Sequence, residues 1–339
     1  MTKSSLQCVK CPNPSTIAGS EGKNVAYCDG CYGEMLTHKF RSALGKRRVF
    51  KDGAAKEAMV VGDGSPSSVF LLGQIRDALQ LNPHQRLVMQ PTIVTIVSSM
   101  TEGVMARVAE KESHVVHLAA VMRPPEDKLL DKGRDTEVSG KKLTQLLASC
   151  KSPTSRDEIV RVLKERLIIR LADELQLSTV LISDSADDLA RLSLSALCIG
   201  RGGQISEMTA GVEKRKGLPT IVRPLKEIRS KEIAIGNRMF GWEKEVIYVE
   251  EDEMKKQVGY SIHKATEDFV DILHNEGFQA TVSTVLSTSS KVHSDVNPSS
   301  SLCTLCQRAY SKELVGMCPP CQSIMDEIPD WSRISHLVQ

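Results

Sequence analysis

Four Cys-x-x-Cys pairs constrain what this chain can fold into more than any other feature. Eight of its ten cysteines fall into these pairs, two pairs near each end of the 339 residues. Two residues between cysteines let one tight turn direct both sulfurs at the same ion, and a second pair completes a tetrahedral site. The spacing predicts two closed, structural zinc sites. Their ligands are Cys8, Cys11, Cys28 and Cys31 in the first, and Cys303, Cys306, Cys318 and Cys321 in the second.

The same pairs admit other interpretations: disulfides, redox pairs, iron–sulfur clusters, or ions shared between pairs from opposite ends. The start of the chain lacks the apolar core of a signal peptide, so we expect a cytoplasmic, reducing location that disfavours disulfides. No apolar run approaches the roughly 18 residues of a membrane helix, so no membrane association is expected. A redox pair would follow a strand in a βαβ unit, which neither end of the chain resembles. Iron–sulfur clusters stay open.

Charge is distributed unevenly along the chain. The formal net charge is only +2, but residues 1–51 carry +6 and the remainder carries −4. The segment His38–Arg48 holds five basic residues and no acid, next to the first cysteine cluster. Such a run is often a solvated face, but it also suits the phosphates of RNA. The predicted RNA contacts are Lys39, Arg41, Lys46, Arg47 and Arg48.

Between the cysteine clusters, short apolar runs alternate with helical periodicity. This alternation predicts an α/β domain with a doubly wound parallel sheet. The predicted strands are Glu57–Gly62, Thr92–Ser98, His114–Val121, Thr179–Ser183 and Thr220–Val222. The predicted helices are Ser67–Leu79, Glu102–Glu112, Ser155–Leu175, with a capping box from Ser155 to Glu158, Ala186–Leu197, Ile228–Met239 and Lys264–His274. Residues Ser283–Ser301 are rich in Ser and Thr and are predicted to be a flexible connector.

Three loops of this domain could contact an anion. Gly62–Ser68 joins the first strand to a helix, where backbone N–H groups can hold phosphate, although an ordinary turn explains it equally well. After the fourth strand, Asp184 is predicted to cap a helix whose first turn carries Asp187 and Asp188; a metal–nucleotide site is the alternative. Gly200–Gly203, which includes Arg201, is either a helix stop or an anion-contacting loop.

Taken together, these residues resemble the cytoplasmic tRNA 2-thiolation protein 2 family, the partner subunit of the wobble-uridine thiolase. The resemblance rests on the cysteine pairs, on HKFRxxLGK at His38–Lys46, on the loop Gly62–Ser68, and on SPTSR at Ser152–Arg156 and RPLKE at Arg223–Glu227. It implies a PP-loop ATPase-like sheet flanked by zinc-ribbon-like modules. It also implies a heterodimer with a catalytic thiolase that takes sulfur from a thiocarboxylated ubiquitin-related modifier. The implied target is the wobble uridine of cytoplasmic Lys, Glu and Gln tRNAs.

The chain departs from the catalytic relatives implied by this resemblance, whose Ser-Gly-Gly-x-Asp-Ser loop binds ATP. Here Gly62 replaces the first Ser, Asp63 the first Gly and Pro66 the Asp, and the catalytic cysteines are absent. These losses weigh against ATP binding, and no catalytic residue is predicted. The degenerate nucleotide site would comprise Gly62, Asp63, Gly64, Ser65, Ser67, Ser68, Asp187 and Asp188.

We therefore expect a non-catalytic or weakly catalytic subunit that helps to hold tRNA. One rival is a tRNA-adenylating PP-loop ATPase that uses Cys150 or Cys198 for sulfur transfer, and another is a zinc scaffold unrelated to tRNA. The expected organisation is an N-terminal zinc module (1–35), a basic arm (36–52), the PP-loop-like domain (53–240), an acidic and Ser-rich connector (241–301), a C-terminal zinc module (302–325) and a tail (326–339).

Overall fold

A computed structural model describes most of the chain: residues 7–19, 25–46, 49–50, 56–82, 84, 86–98, 114–130, 136–247, 260–278, 280–292, 301–310, 316–329 and 334. The strands are β1 (Ile17–Ala18), β2 (Ala26–Tyr27), β3 (Glu57–Gly62), β4 (Gln90–Val97), β5 (His114–His117), β6 (Thr179–Leu181), β7 (Val212–Glu213) and β8 (Thr220–Val222). The α-helices are α1 (Asp29–Lys46), α2 (Pro66–Leu79), α3 (Thr136–Ser149), α4 (Pro153–Glu174), α5 (Ala186–Cys198), α6 (Ile205–Met208), α7 (Ser230–Met239), α8 (Ile262–Asn275), α9 (Thr281–Ser289) and α10 (Pro319–Glu327).

Within the described residues, six strands form the central sheet in the order β5-β4-β3-β6-β8-β7. All neighbouring pairs are parallel except β7 and β8. The chain runs outward from β3 through β4 to β5, then returns to β6 on the other side of β3. The sheet is therefore doubly wound, as predicted, and its topological switch point lies between β3 and β6.

Strand β3 shows why an uninterrupted apolar run folds at the centre of this sheet. Successive side chains of a strand point to opposite faces. Met59 and Val61 pack into one hydrophobic cluster, with α4 and the C-terminal cysteines. Ala58 and Val60 pack into a second cluster on the other face, with α1, α2 and α7. Each face of the sheet is thus covered by its own apolar layer.

Several boundaries differ from those predicted. The third strand ends at His117, because its imidazole Nδ1 accepts the N–H of Ala119 at 3.1 Å and caps a 3-10 helix over Leu118–Met122. The N-cap of α4 is Ser152, so the predicted Ser155–Glu158 capping box is wrong. The predicted helix Glu102–Glu112 lies outside the described residues.

The largest difference concerns the predicted flexible connector Ser283–Ser301. Its first part belongs to α9, whose Val282 and Leu286 pack with Leu189 and Ala190 of α5. Residues 293–300 of the connector lie outside the described residues. Helix α3 and strand β7 were not predicted at all. No helix in the described ranges is long and apolar enough to cross a membrane.

Candidate functional site: a closed phosphate loop and two cysteine centres

The loop after β3 and the loop after β6 meet at the switch point, where doubly wound sheets bind their ligands. Strands β3 and β6 are hydrogen-bonded neighbours, with Met59 opposite Val180 and Val60 opposite Leu181. This adjacency brings the predicted loop Gly62–Ser68 to the same edge as Asp187 and Asp188. The fold thus places both halves of the predicted degenerate nucleotide site together.

Two backbone N–H groups of the first loop are already bound by side chains of the loop itself. The N–H of Ser65 donates to Asp63 Oδ1 at 3.1 Å, and the N–H of Ser68 donates to Ser65 Oγ at 3.3 Å. Ser65 is the N-cap of α2, and Pro66, which has no N–H, follows it. A phosphate held at a helix N-terminus needs these N–H groups to be available. The loop therefore has the shape of a phosphate loop in which the N–H groups of Ser65 and Ser68 are already occupied.

The loop also carries a negative charge. Lys164 Nζ of α4 lies 3.2 Å from Asp63 Oδ2. Burial alone would raise the pKa of the Asp63 carboxyl, but Lys164 and the hydrogen bonds from Ser65 lower it below its usual value. Asp63 is therefore ionised at neutral pH, and its carboxylate holds Lys164, which is then not free to bind a phosphate.

The segment that follows α7 lies against this loop. The N–H of Ile247 donates to the carbonyl oxygen of Gly64 at 2.9 Å. Gly64 has a φ of +77°, and a Cβ added there would lie 2.9 Å from the side chain of Ile247. Trp242 of the same segment sits against α2 at Gly73, where an added Cβ would lie 2.5 Å from the indole ring. Both glycines are required for this close packing.

The acidic residues at the start of α5 serve the fold. Asp188 and Ser185 form a capping box, in which each side chain accepts the other residue's N–H, at 3.0 and 3.2 Å. Asp187 is 2% exposed and accepts the N–H of Ser230 at 2.6 Å. The prediction that Asp184 caps this helix is wrong: Ser185 is the cap, and Asp184 pairs with Arg223 at 3.0 Å.

The N-terminal cysteines converge as the spacing predicted. The sulfurs of Cys8, Cys11, Cys28 and Cys31 lie within 4.8 Å of one another. Burial would raise the pKa of the Cys8 thiol, but hydrogen bonds from backbone N–H groups lower it to about 6. Hydrogen bonding to Cys11 and Cys28 raises the pKa of Cys31 to about 12. The four sulfurs thus resist ionising together unless a cation joins them.

The C-terminal cysteines also lie within 4.8 Å of one another, and all four are buried. Hydrogen bonds from the other three thiols lower the pKa of Cys303 below its ordinary value, and hydrogen bonding to the other three raises that of Cys321. A soft divalent ion such as zinc would take all four as thiolates and leave no open position. Each of the ten cysteines is described and free, so the disulfide interpretation is wrong, as is the sharing of ions between opposite ends.

Comparison with known proteins identifies the family of this chain. A curated protein named cytoplasmic tRNA 2-thiolation protein 2, from Caenorhabditis briggsae, is 35% identical over 333 residues, which are 94% of this chain and 92% of the relative. The chain belongs to the cytoplasmic tRNA 2-thiolation protein 2 family. The curated protein of the same name from Caenorhabditis elegans is 34% identical to this chain, over 92% of each of the two sequences. The sequence profile described as cytoplasmic tRNA 2-thiolation protein 2 matches residues 261–333, from the N-cap of α8 onward.

A solved structure shows that the chain has the fold of a PP-loop thiolase. The U34-tRNA thiolase NcsA from Methanococcus maripaludis, solved with its [4Fe-4S] cluster, superposes with a TM-score of 0.61. The match covers 95% of this chain and 96% of NcsA at 16% sequence identity. The predicted PP-loop ATPase-like sheet with a cysteine cluster at each end is confirmed.

The predicted RNA contacts of this family member occupy different environments. Lys39 Nζ lies 3.0 Å from Glu232 Oε1 on α7, and the Lys39 side chain is only 21% exposed. Arg41 is exposed and lines a groove of about 730 Å³ between α1 and α7, and Lys46 is exposed at the end of α1. Arg47 and Arg48 lie outside the described residues. Lys39 therefore stabilises the packing of α1, whereas Arg41 and Lys46 face outward.

Sequence reasoning missed the polar residues that hold these sites together. Lys164 was assigned only to a helix, and Glu158 to a cap. Arg201 was placed in a loop that either ends a helix or contacts an anion; its side chain is in fact buried against the C-terminal sulfurs. Each of these partners lies more than 40 residues away in sequence from the group it contacts, and no local pattern reports such a pair.

Proposed function

We propose that this chain is a non-catalytic subunit required for 2-thiolation of the wobble uridine of cytoplasmic tRNAs. It would act in the cytoplasm as a heterodimer with a catalytic PP-loop thiolase that takes sulfur from a thiocarboxylated ubiquitin-related modifier. Membership in the family and the fold shared with a U34-tRNA thiolase support the tRNA 2-thiolation role. The targets would be the Lys, Glu and Gln tRNAs.

One observation carries the non-catalytic assignment: the loop Gly62–Ser68 is closed by its own residues. Asp63 and Ser65 accept the N–H groups that a phosphate would need, and Ile247 packs on Gly64. The Asp63 carboxylate also neutralises Lys164, so this pair offers a phosphate no net positive charge. A catalytic phosphate loop instead needs free donors and a surplus of positive charge.

The rival, a tRNA-adenylating sulfurtransferase, needs a reactive thiol. Burial raises the pKa of the Cys150 thiol, which disfavours the thiolate that attacks. Cys150 Sγ also donates to the carbonyl oxygen of Leu146 at 3.6 Å. Cys198 is exposed at the last residue of α5. The setting of Cys150 therefore does not favour its action as the nucleophile of a sulfurtransferase.

Reconstitution tests the proposed division of labour. Thiolation of a synthetic tRNA is measured with this chain alone, with the catalytic subunit alone, and with both, each supplied with the thiocarboxylated modifier. We expect thiolation only with both chains. Thiolation by this chain alone would establish the enzyme hypothesis, and full thiolation without it would remove it from the reaction. Normal wobble thiolation in cells lacking the protein would favour a scaffold unrelated to tRNA.

The proposed heterodimer is tested separately by purification of the tagged protein from native cells. We expect a PP-loop thiolase and tRNA to copurify. Recovery of the chain without a thiolase would contradict the partnership while leaving the zinc and loop assignments untouched.

We also propose that the segment His38–Arg48 contacts tRNA phosphates, mainly through residues other than Lys39. The double variant Arg41→Glu with Arg47→Glu should weaken tRNA binding by the complex and reduce the salt slope by about 2, or about one for each lost phosphate contact. Lys141→Glu on α3 is the matched control, since it reverses an exposed lysine elsewhere. An unchanged affinity and slope in the double variant would remove this assignment.

The expected division into an N-terminal zinc module (1–35), basic arm (36–52), PP-loop-like domain (53–240), connector (241–301), C-terminal zinc module (302–325) and tail (326–339) stays a proposal. Limited proteolysis of the metal-loaded protein tests it. Early cuts within 241–301 but outside helices α8 and α9, which pack on α5, would support the proposed connector. Protection of that region would contradict it.

A further inference from the structure

Arg201 occupies an unusual position at the C-terminal cysteine cluster. Its side chain has no exposed surface. Its guanidinium nitrogens lie 3.7 Å from Cys306 Sγ, 3.8 Å from Cys318 Sγ and 3.3 Å from Cys321 Sγ. On its other edge, Nε donates to Glu158 Oε1 at 2.5 Å. One arginine therefore faces three of the four sulfurs and is fixed in place by a buried carboxylate.

Charge accounts for this arrangement. Four thiolates around a divalent ion carry a net double negative charge, and burying that charge is costly unless it is paired. A guanidinium offers several N–H donors and a positive charge that burial does not remove, because arginine does not deprotonate in proteins. Hydrogen bonds from a charged donor to an anionic acceptor are also the strong ones. Arg201 thus supplies what a buried tetrathiolate site needs.

The other buried arginines near this cluster make different contacts. Arg308 pairs with Glu165 and Glu213, at 2.6 and 2.8 Å. Arg215 pairs with the same two glutamates, at 2.7 and 3.0 Å, and reaches the cysteines only through the carbonyl oxygen of Cys306. These residues neutralise one another within the protein. Arg201, in contrast, donates directly to three of the sulfurs.

The connection through Glu158 joins the metal site to the domain core. Glu158 lies in the second turn of α4 and also forms a bidentate pair with Arg161, at 2.7 and 2.9 Å. The four cysteines belong to the same hydrophobic cluster as Leu163 and Leu167 of α4. We propose that Arg201 is a charge-compensating positioning residue of the C-terminal metal centre, which makes metal binding and the docking of the C-terminal segment onto α4 a single event.

The proposal is tested with Arg201→Met in the full-length, zinc-loaded protein. Zinc is withdrawn with a graded chelator, and the alkylation of each cysteine is read peptide by peptide by mass spectrometry, which separates the two sites. We expect the apparent zinc affinity of the C-terminal site to fall about 10- to 100-fold, the typical effect of losing an outer-shell partner, and that of the N-terminal site to stay unchanged.

Arg223→Met is the matched control, because Arg223 is also a buried arginine but pairs with Asp184 and Glu213. It should retain the zinc affinity of the parent protein at both sites. Equal loss of zinc from the two variants would overturn the proposal, since any buried arginine would then have the same effect. Unchanged affinity in Arg201→Met would overturn it as well.

Should Arg201→Met fail to fold, Arg201→Lys carries the test. Lysine keeps the charge but loses the fork that reaches several sulfurs at once. With cobalt(II) in the C-terminal site, we expect a shifted sulfur-to-metal absorption band and an affinity several-fold weaker. A spectrum and affinity identical to those of the parent protein would contradict the proposal.

Discussion

The loop Gly62–Ser68 and the C-terminal cysteine cluster are both polar sites that the fold encloses, but they meet their electrostatic needs in opposite ways. In the loop, Asp63, Ser65 and Lys164 satisfy one another and the backbone. In the cluster, four buried thiols cannot all ionise until a cation arrives. Arg201 then offsets only part of the charge that results.

This difference bears on whether each of the two sites would gain free energy by binding a ligand. A site whose donors and charges are internally matched gains nothing from a ligand and has to be broken to admit one. A site with an unresolved charge is completed by its ligand, and the binding free energy becomes part of the folding free energy. We propose that the PP-loop position of this chain is of the first kind and that its cysteine centres are of the second.

The largest effect should come from removing a ligand of the C-terminal centre. Cys321→Ser is expected to lower the free energy of unfolding by at least about 4 kcal/mol, the stabilisation conferred by a ligand present at a thousand times its Kd. Cys11→Ser, at the half-exposed N-terminal cluster, should cost about 1–2 kcal/mol. Urea unfolding of the zinc-loaded proteins measures both. Equal losses would mean that the C-terminal site contributes no more to the stability of the core than the N-terminal site does.

Breaking the buried ion pair beside that centre should come next. Burial alone would raise the pKa of the Glu158 carboxyl, but Arg161, His263 and Arg201 hold this pKa far below its ordinary value. Its stabilisation is therefore present above the pKa of an unfolded glutamate, about 4.3, and is lost as the pH falls through the lower folded value. Glu158→Gln should lower the free energy of unfolding by about 3 kcal/mol at pH 7.

The pH dependence checks the sign of that prediction. The difference in the free energy of unfolding between the parent protein and Glu158→Gln should narrow as the pH falls below about 4, because the parent protein then loses the stabilisation from the ionised Glu158. Glu137→Gln, on an exposed pair with Lys141, serves as the control and should show no gap at either pH. A gap that widens on acidification would contradict the assigned direction of the pKa shift.

The loop should respond more weakly, because its interactions are local. Ser65→Ala removes the N-cap of α2 and is expected to cost about 1 kcal/mol. The free Ser68 N–H should not restore nucleotide binding, since Asp63 and Ile247 stay in place. Thermal unfolding and calorimetric titration with ATP measure the two parts of this prediction. Tight ATP binding by Ser65→Ala would show that the cap alone closes the loop.

The smallest effect on stability is expected from Asp63→Asn. The Asp63 and Lys164 side chains are 32% and 42% exposed, so solvent screens their pairing and the cost should stay below about 1 kcal/mol. The variant isolates the carboxylate charge from the shape of the loop. ATP binding in Asp63→Asn, but not in the parent protein, would assign the exclusion to charge alone.

Patterns confined to neighbouring residues could be predicted from the sequence. Strand β3 was found because a central parallel strand is apolar on both faces. The two groups of four cysteines were found because the spacing of each pair is set by one tight turn. The doubly wound order followed from the alternation of such strands with periodic helices.

Features that depend on distant partners could not be predicted. Helix α9 is rich in Ser, Thr and Val, which favour helices weakly, and its packing of Val282 and Leu286 on α5 overrides that preference. Strand β7 carries Glu213, and a glutamate in the sequence predicts an exposed position. Glu213 is buried because Arg223 and Arg308, which lie elsewhere in the sequence, pair with it. The contacts of Arg201 could not be predicted for the same reason, since its partners come from α4 and from the C-terminal segment.

The most direct test of the non-catalytic assignment is ATP–pyrophosphate exchange by the purified, zinc-loaded chain, with tRNA present and with the catalytic thiolase as the positive control. A closed loop, in which Asp63 holds Lys164 and the N–H groups of Ser65 and Ser68 are occupied, predicts exchange no greater than in a reaction without protein. Sustained exchange by this chain alone would show that it activates tRNA itself, and would contradict the account.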